Sequence, residues 1–239
     1  MMIPSSRTRR SPVDKYDERR NELAESALLT LGELGYARTS LREIASNSPY
    51  SHGVLHYYFA DKLELVAYSI THYKQRCVTR YDEVVERSTT PEALVEAFAA
   101  RLVETLLEET AMHRLWYDLR VESMFDARLR ETVLHIDAAL QDMIWQVVSR
   151  YAVLVDREVA MDAPAAYAVL DGLFEAALLA HVTGNADAVS RLVEQVHVLL
   201  PLTLGPLPRA AGTRAGTRGG RRAGRRTGAP VGRSVDPVR

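Results

Sequence analysis

The chain has 239 residues, 47% of them hydrophobic and 26% charged, with one cysteine and a formal net charge of -1. This composition describes a folded chain with room for one sizeable core plus a small module, and it excludes collagen-like, disulfide-stapled and wholly disordered classes. The lone Cys77 leaves no internal disulfide and no thiolate zinc cluster, which fits a cytoplasmic, reducing setting.

The small net charge hides an asymmetry. Residues 1–62 hold nine Lys/Arg against eight Asp/Glu, residues 63–204 hold twelve against 22, and residues 205–239 hold nine Arg against one Asp. An acidic middle repels nucleic acid, so contact with DNA has to come from the ends. Residues 1–16 read as a flexible basic arm carrying Arg7, Arg9 and Arg10, with no apolar segment behind them to suggest a secretory signal.

Helical punctuation dominates the rest of the chain up to residue 204, and no alternating run is long enough to predict a strand. Ser11 and Pro12 mark a first helix with Leu23, Ala27, Leu31 and Leu34 on one face, and Gly35 stops it. Ser40 and Glu43 form a capping box that opens a short helix with Leu41, Ile44 and Ala45 inward. Ser51 opens another, in which Leu55 and Phe59 share a face. Two short helices with a tight break between them suggest a helix-turn-helix.

Asp61 and Glu64 cap a long helix predicted to step through Leu63, Val66, Ile70, Tyr73, Cys77, Tyr81 and Val84 as far as Arg87. Further helices are expected from Thr90-Pro91, over 112–125, 129–151, 164–182 and 186–200, with Gly184 and Asn185 separating the last two. The stretch 163–182 is the most apolar, yet it is Ala-rich and contains Asp171 and Glu175; it reads as a buried helix, not a membrane span. From Gly205 onward Gly, Arg, Ala, Thr and Pro dominate, so the Arg/Gly-rich tail is expected to be disordered.

Between residues 20 and 65 the order and spacing of Gly35-Tyr36, Thr39-Ser40-Leu41, Ile44-Ala45, Ser51, Gly53, Leu55, Tyr58-Phe59, Lys62 and Leu65 resemble the amino-terminal signature of TetR-type (TetR/AcrR) transcriptional repressors. The resemblance implies an all-α protein of about nine helices. A three-helix helix-turn-helix domain at 17–62 would be followed by a helical ligand-binding and dimerisation bundle at 63–204. It also implies a homodimer on a palindromic DNA operator, released by a small-molecule effector, in the cytoplasm and associated with the nucleoid.

The residues support the DNA role independently. Burying Leu55 and Phe59 turns His52, Gly53, His56 and Tyr57 outward, where with Ser51 and Val54 they can read base edges in a major groove about 12 Å wide. Thr39, Ser40, Arg42, Tyr58 and Lys62 lie at neighbouring helix ends and are candidate phosphate contacts. Two positions depart from the family. Pro49 stands in the turn where Gly is usual, so Asn47 is expected to take the left-handed conformation instead. His56 replaces a usual Tyr and puts a side chain that takes up protons near neutrality on the DNA face, so operator binding is expected to strengthen on acidification.

In the body the resemblance implies an effector cavity, for which Met112, Trp116, Tyr117, Met124, Phe125, Trp145, Tyr167 and Phe174 are the candidates. It implies a dimer seam on the last two helices, assigned to Leu170, Leu173, Ala177, Leu178, Val189, Leu192 and Val196. The stretch Leu170-Asp171-Gly172-Leu173 also resembles betaine-choline regulators, where Trp and Tyr would cage a quaternary ammonium.

No catalytic, cofactor or metal site is expected. Nucleophile elbow, phosphate loop, HExxH and GxGxxG patterns are missing from the sequence, and His52 and His56 lack a third ligand beyond Asp61. His113, His135, His181 and His197 are expected at the surface or hydrogen-bonded, and Glu108-Glu109 on a solvated face. The alternative is an architectural protein that grips nucleic acid through basic ends without reading sequence.

Overall fold

The computed structural model describes residues 12–205, and these are helical throughout apart from connecting turns and one isolated antiparallel bridge, Val159 with Leu204. Ten helices succeed one another: α1 Pro12–Leu34, α2 Leu41–Ser46, α3 His52–Tyr58, α4 Lys62–Cys77, α5 Asp82–Arg87, α6 Pro91–Glu108, α7 Thr110–Ser123, α8 Ala127–Leu154, α9 Ala163–Val182 and α10 Ala188–Leu202. The proposed cap at Ser11, residues 1–10 of the expected arm and the tail after Gly205 lie outside the described residues, while residues 12–16, also assigned to the arm, belong to α1.

Local chemistry sets most boundaries. Gly35 ends α1 at φ 79°, a left-handed conformation costly for any residue with a Cβ. Ser40 and Glu43 make the reciprocal capping box of α2, with Ser40 N–H donating to Glu43 Oε2 at 2.6 Å. Ser51, Asp61, Thr90 and Asp162 each accept an amide hydrogen bond that starts a helix. Gly184, at φ 81°, ends the α9 corner.

The long helix predicted over 61–87 is two helices. Turn hydrogen bonds from Arg80 N–H to Cys77 O and Asp82 N–H to Thr79 O interrupt the ladder, and the break sends both Arg80 and Tyr81 inward. Tyr81 packs edge-on to Phe98 at 4.9 Å beside the half-buried Arg80.

The α2–α3 turn also departs from expectation. Asn47 has φ -98°, so no left-handed residue makes this corner. Ser48 builds it instead: its Oγ accepts from Tyr50 N–H at 3.2 Å and lies 3.4 Å from Ala45 O. A hydroxyl-braced turn is compatible with the fixed φ of Pro49.

A single apolar core joins the elements. Leu23, Ala27 and Leu31 of α1 meet Leu55, Phe59, Leu65 and Ile70, and the same cluster continues through Leu94, Phe98, Trp116, Val147 and Leu170 to Leu192 and Val196. Arg20 clamps α1 to the end of α3, its guanidinium lying over Phe59 at 4.7 Å and Tyr68 at 4.3 Å while pairing with Glu64 at 2.8 Å. Among the described residues α9 is the one helix long and apolar enough to cross a membrane. Its Tyr167, Leu170, Phe174 and Leu178 are buried while Ala165, Ala168, Gly172, Ala176 and Leu179 are open, so it is buried on one face rather than all round.

Candidate DNA-reading face and effector cavity

Helix α3 is held from beneath by Leu55 and Phe59, each 1% exposed. That anchoring presents Ser51, Gly53, His56 and Tyr57 to solvent with His52 half-exposed beside them. Tyr57 is 74% exposed, a poor place for an aromatic ring unless something covers it. The rings of His52 and His56 meet edge-on at 4.4 Å, and Tyr57 meets Tyr58 edge-on at 4.9 Å. A Cβ on Gly53 would touch nothing nearer than Ser51 Oγ at 3.9 Å, so this residue leaves an open notch rather than avoiding a clash within the chain.

Three proposed DNA contacts are turned inward. Thr39 is buried and its hydroxyl donates to Gly35 O at 2.7 Å, closing the α1 corner. Val54 is half-buried and packs against the core. Lys62 Nζ donates to Tyr36 O at 2.7 Å and lies 3.9 Å from the Tyr36 ring centre, and burial lowers its pKa; its charge ties α4 to the α1 corner. Ser40 and Arg42 remain exposed, and Tyr58 is half-buried against Tyr16.

The same corner is fastened to the body. Asp118 of α7 accepts Tyr36 N–H at 2.6 Å, and Arg128 at the start of α8 pairs with Asp61 at 3.2 Å. Met112, expected in the cavity, instead packs its methyl against Gly32 of α1. These links give the amino-terminal helices a defined seat on α7 and α8.

Deeper in the body, α4, α6, α7, α8 and α9 line a partly open cavity of about 60 Å³. Of the expected residues, Trp116, Tyr117, Tyr167 and Phe174 line it. Met124 and Phe125 do not: α7 ends at Ser123, and the two side chains emerge 71% and 82% exposed. Trp145 is half-buried on α8 and also falls outside the lining.

The polar lining is what periodicity missed. Asp171 takes Arg120 at 2.5 Å and Tyr117 Oη at 3.1 Å, and Asp137 behind it takes Tyr167 Oη at 2.8 Å. Glu109, assigned to a solvated face, accepts from both Arg80 and Tyr73, and Arg80 also donates to Thr105 Oγ1 at 2.9 Å. Burial first, then these carboxylates, pushes the Tyr73, Tyr117 and Tyr167 hydroxyls far above the usual tyrosine range.

Three nitrogens in the lining make no hydrogen bond, although His113 Nε2 lies 3.8 Å from Glu109 Oε2. Lys74 is 2% exposed; among the described residues its Nζ makes no hydrogen bond or ion pair, lying 4.8 Å from the Trp116 ring centre and 5.7 Å from that of Tyr73, with Cys77, Arg80, Asp171 and Glu109 acting on it at longer range. Burial lowers its pKa to about 8. Trp116 Nε1 and His113 Nε2 are buried without hydrogen-bond partners. His113 is therefore neither superficial nor hydrogen-bonded at Nε2, and burial, with Lys74 and Arg80 nearby, holds its pKa well below the usual histidine value. Lys74 follows Ile70 by four and precedes Cys77 by three, so the inward stripe of α4 ran through it.

Of the residues assigned to the dimer seam, Leu170, Leu173, Ala177, Leu178, Leu192 and Val196 are buried within the chain's own core, and Val189 is half-buried against it.

Residues 23–68 match the model of bacterial regulatory proteins of the tetR family, spanning the helix-turn-helix and the first part of α4. The amino-terminal helix-turn-helix is a tetR-type domain. It is 26% identical over 192 residues to the HTH-type transcriptional regulator PksA of Bacillus subtilis, which covers 75% of this chain and 88% of that protein. It is 25% identical over 180 residues to the HTH-type transcriptional regulator BetI of Brucella anthropi, covering 74% and 90%. The crystal structure of the regulator FadR from Bacillus subtilis in complex with stearoyl-CoA superposes with a TM-score of 0.62 at 16% identity, over 75% of this chain and 96% of FadR. The TetR-family fold therefore extends through the helical body, and the chain is a DNA-binding helix-turn-helix transcription regulator.

Proposed function

We propose that this TetR-family regulator is a ligand-released repressor that binds a palindromic operator as a homodimer in the cytoplasm, with residues 17–62 reading DNA and residues 63–204 forming the effector and dimer domain. The observation that carries the coupling is α4: it starts at Lys62, fastened to the DNA-reading corner, and twelve residues later presents Lys74 to the cavity, roughly 18 Å along one rigid rod. A ligand that shifts the cavity wall therefore moves the seat of α3, and a small rotation doubled by symmetry spoils simultaneous docking in two major grooves about 34–36 Å apart. That FadR is crystallised with stearoyl-CoA is consistent with an effector site in this body.

The exposed faces of α9 and α10 supply the dimer surface in this reading. Leu179 and Val182 of α9 and Val198 and Leu202 of α10 are exposed, and Ala165, Ala168, Gly172 and Ala176 add small residues that allow close helix approach. Leu179→Arg is expected to halve the mass measured by sedimentation and to weaken operator binding more than tenfold.

Hydroxyl-radical footprinting on the DNA flanking the gene tests the function. Two protected patches one helical turn apart are expected, and uniform protection of any duplex would favour the architectural reading. Tyr57→Ala is expected to weaken operator binding about tenfold to a hundredfold, the range for loss of a base-edge contact, with an unchanged melting temperature because the ring packs on nothing essential.

A further inference from the structure

We propose that the effector is an organic anion, a carboxylate on a small apolar body, recognised by Lys74 and the indole N–H of Trp116. This rests on the reading of the cavity as an effector site and deepens it. The carboxylate at the wall, Asp171, is already engaged by Arg120 and Tyr117, and Glu109 behind the wall by Arg80 and Tyr73. What remains unengaged is a set of nitrogens, the Lys74 ammonium and the Trp116 N–H, with the neutral His113 ring beside them.

A buried ammonium without a counter-charge is costly, and truncating its partner in a known pair destabilises by several kcal/mol for that reason. Here Asp171 and Glu109 act on the ammonium only from a distance, each already hydrogen-bonded to another group, so an incoming carboxylate gains a charge-assisted hydrogen bond without displacing an internal one. The rest of the wall, including Leu102, Leu140, Met143, Ile144, Leu170 and Phe174, offers apolar contact to an aliphatic or aromatic body, and because the cavity of about 60 Å³ is smaller than such a ligand, binding has to displace wall side chains.

A quaternary ammonium fits poorly. The indole face that would cage it already carries Lys74, and Arg80 lies on the same wall, so a second cation would meet two like charges in a low-dielectric space. Lys74 also lies on α4, so an anion bound there pulls on the same helix that seats the DNA-reading corner.

The test is calorimetric titration of the full chain with two matched series: pentanoate, 1-pentanol and pentyltrimethylammonium, then benzoate, benzyl alcohol and benzyltrimethylammonium. In at least one series the acid is expected to bind tenfold or more tightly than its alcohol and its ammonium. Lys74→Met should erase that preference while melting no lower than wild type, and Trp116→Phe should weaken acid binding severalfold. Tighter binding of an alcohol or ammonium, undiminished acid binding by Lys74→Met, or failure of both acids at millimolar concentration would overturn the proposal. Footprinting of the same preparation separates the two readings: a retained two-patch footprint beside any of those failures removes the anion and keeps the regulator, whereas loss of the footprint removes the regulator.

Discussion

Replacing Phe59 with alanine is expected to lower stability by about 3–5 kcal/mol and to abolish operator binding, the range for deleting a large buried aromatic whose site cannot collapse. Arg20 and Tyr68 block that collapse. Phe59 is 1% exposed, sits beneath the Arg20 guanidinium at 4.7 Å and meets Tyr68 edge-on at 5.6 Å. It is also the C-cap residue of α3, its N–H donating to Leu55 O. The cavity therefore opens where the reading helix leaves for α4, and Arg20 loses the ring that offsets part of its desolvation. Urea denaturation followed by circular dichroism measures the first effect and fluorescence anisotropy with operator DNA the second. A Phe59→Leu variant, which keeps most of the volume, should recover most of both.

The second large effect is a stability that rises with pH in an alkaline window. Lys74 has an ordinary value of 10.5 and a folded value of about 8, lowered chiefly by burial. The unfolded chain therefore holds a proton between pH 8 and 10.5 that the folded chain has released, and stability climbs as pH rises through that window. Below pH 8 both states are protonated and the penalty is fully present, on the order of 3 kcal/mol. The buried Tyr73, Tyr117 and Tyr167 act oppositely above pH 10, because their folded values are raised. The difference between wild type and Lys74→Met removes that background. Measured by urea melts at about pH 7 and about pH 9.5, Lys74→Met should be more stable than wild type at the lower pH and lose most of the advantage at the higher. An advantage constant across pH would show that the ammonium is not desolvated in the folded protein.

Much of this molecule was legible because its information is local. The hydroxyl of Ser40 with Glu43, the side chains of Ser51 and Asp61, and the positive φ of Gly35 act within four residues of themselves, so helix starts and stops can be read directly from the sequence. The outward set on α3 comes from the burial of Leu55 and Phe59 in the same way.

The readings that failed needed knowledge of a neighbour. Thr39 sits at a helix start, where phosphate contact is plausible, but its hydroxyl is satisfied by Gly35 O in the corner below. Lys74 and His113 look like ordinary polar positions until α6, α7 and α9 close over them. Met124 and Phe125 continue the apolar pattern of α7, yet the helix stops one residue before them and the pattern no longer fixes a face. The dimer seam shows the limit most clearly. Helix α9 is apolar around nearly all its circumference, so spacing reveals two candidate faces and cannot say that Leu170, Leu173 and Leu178 meet the chain's own core while Ala168, Gly172 and Leu179 face out.

On the proposed reading, the exposed face of α3 reads DNA sequence in a symmetric dimer. Selection of bound duplexes from a random library by the full chain, repeated with Tyr57→Ala, tests it most directly. Enrichment of one palindrome with half-sites about one helical turn apart is predicted, lost or degraded in the variant. Equal recovery of all sequences by the wild-type chain, or the same palindrome recovered equally well by Tyr57→Ala, would contradict it.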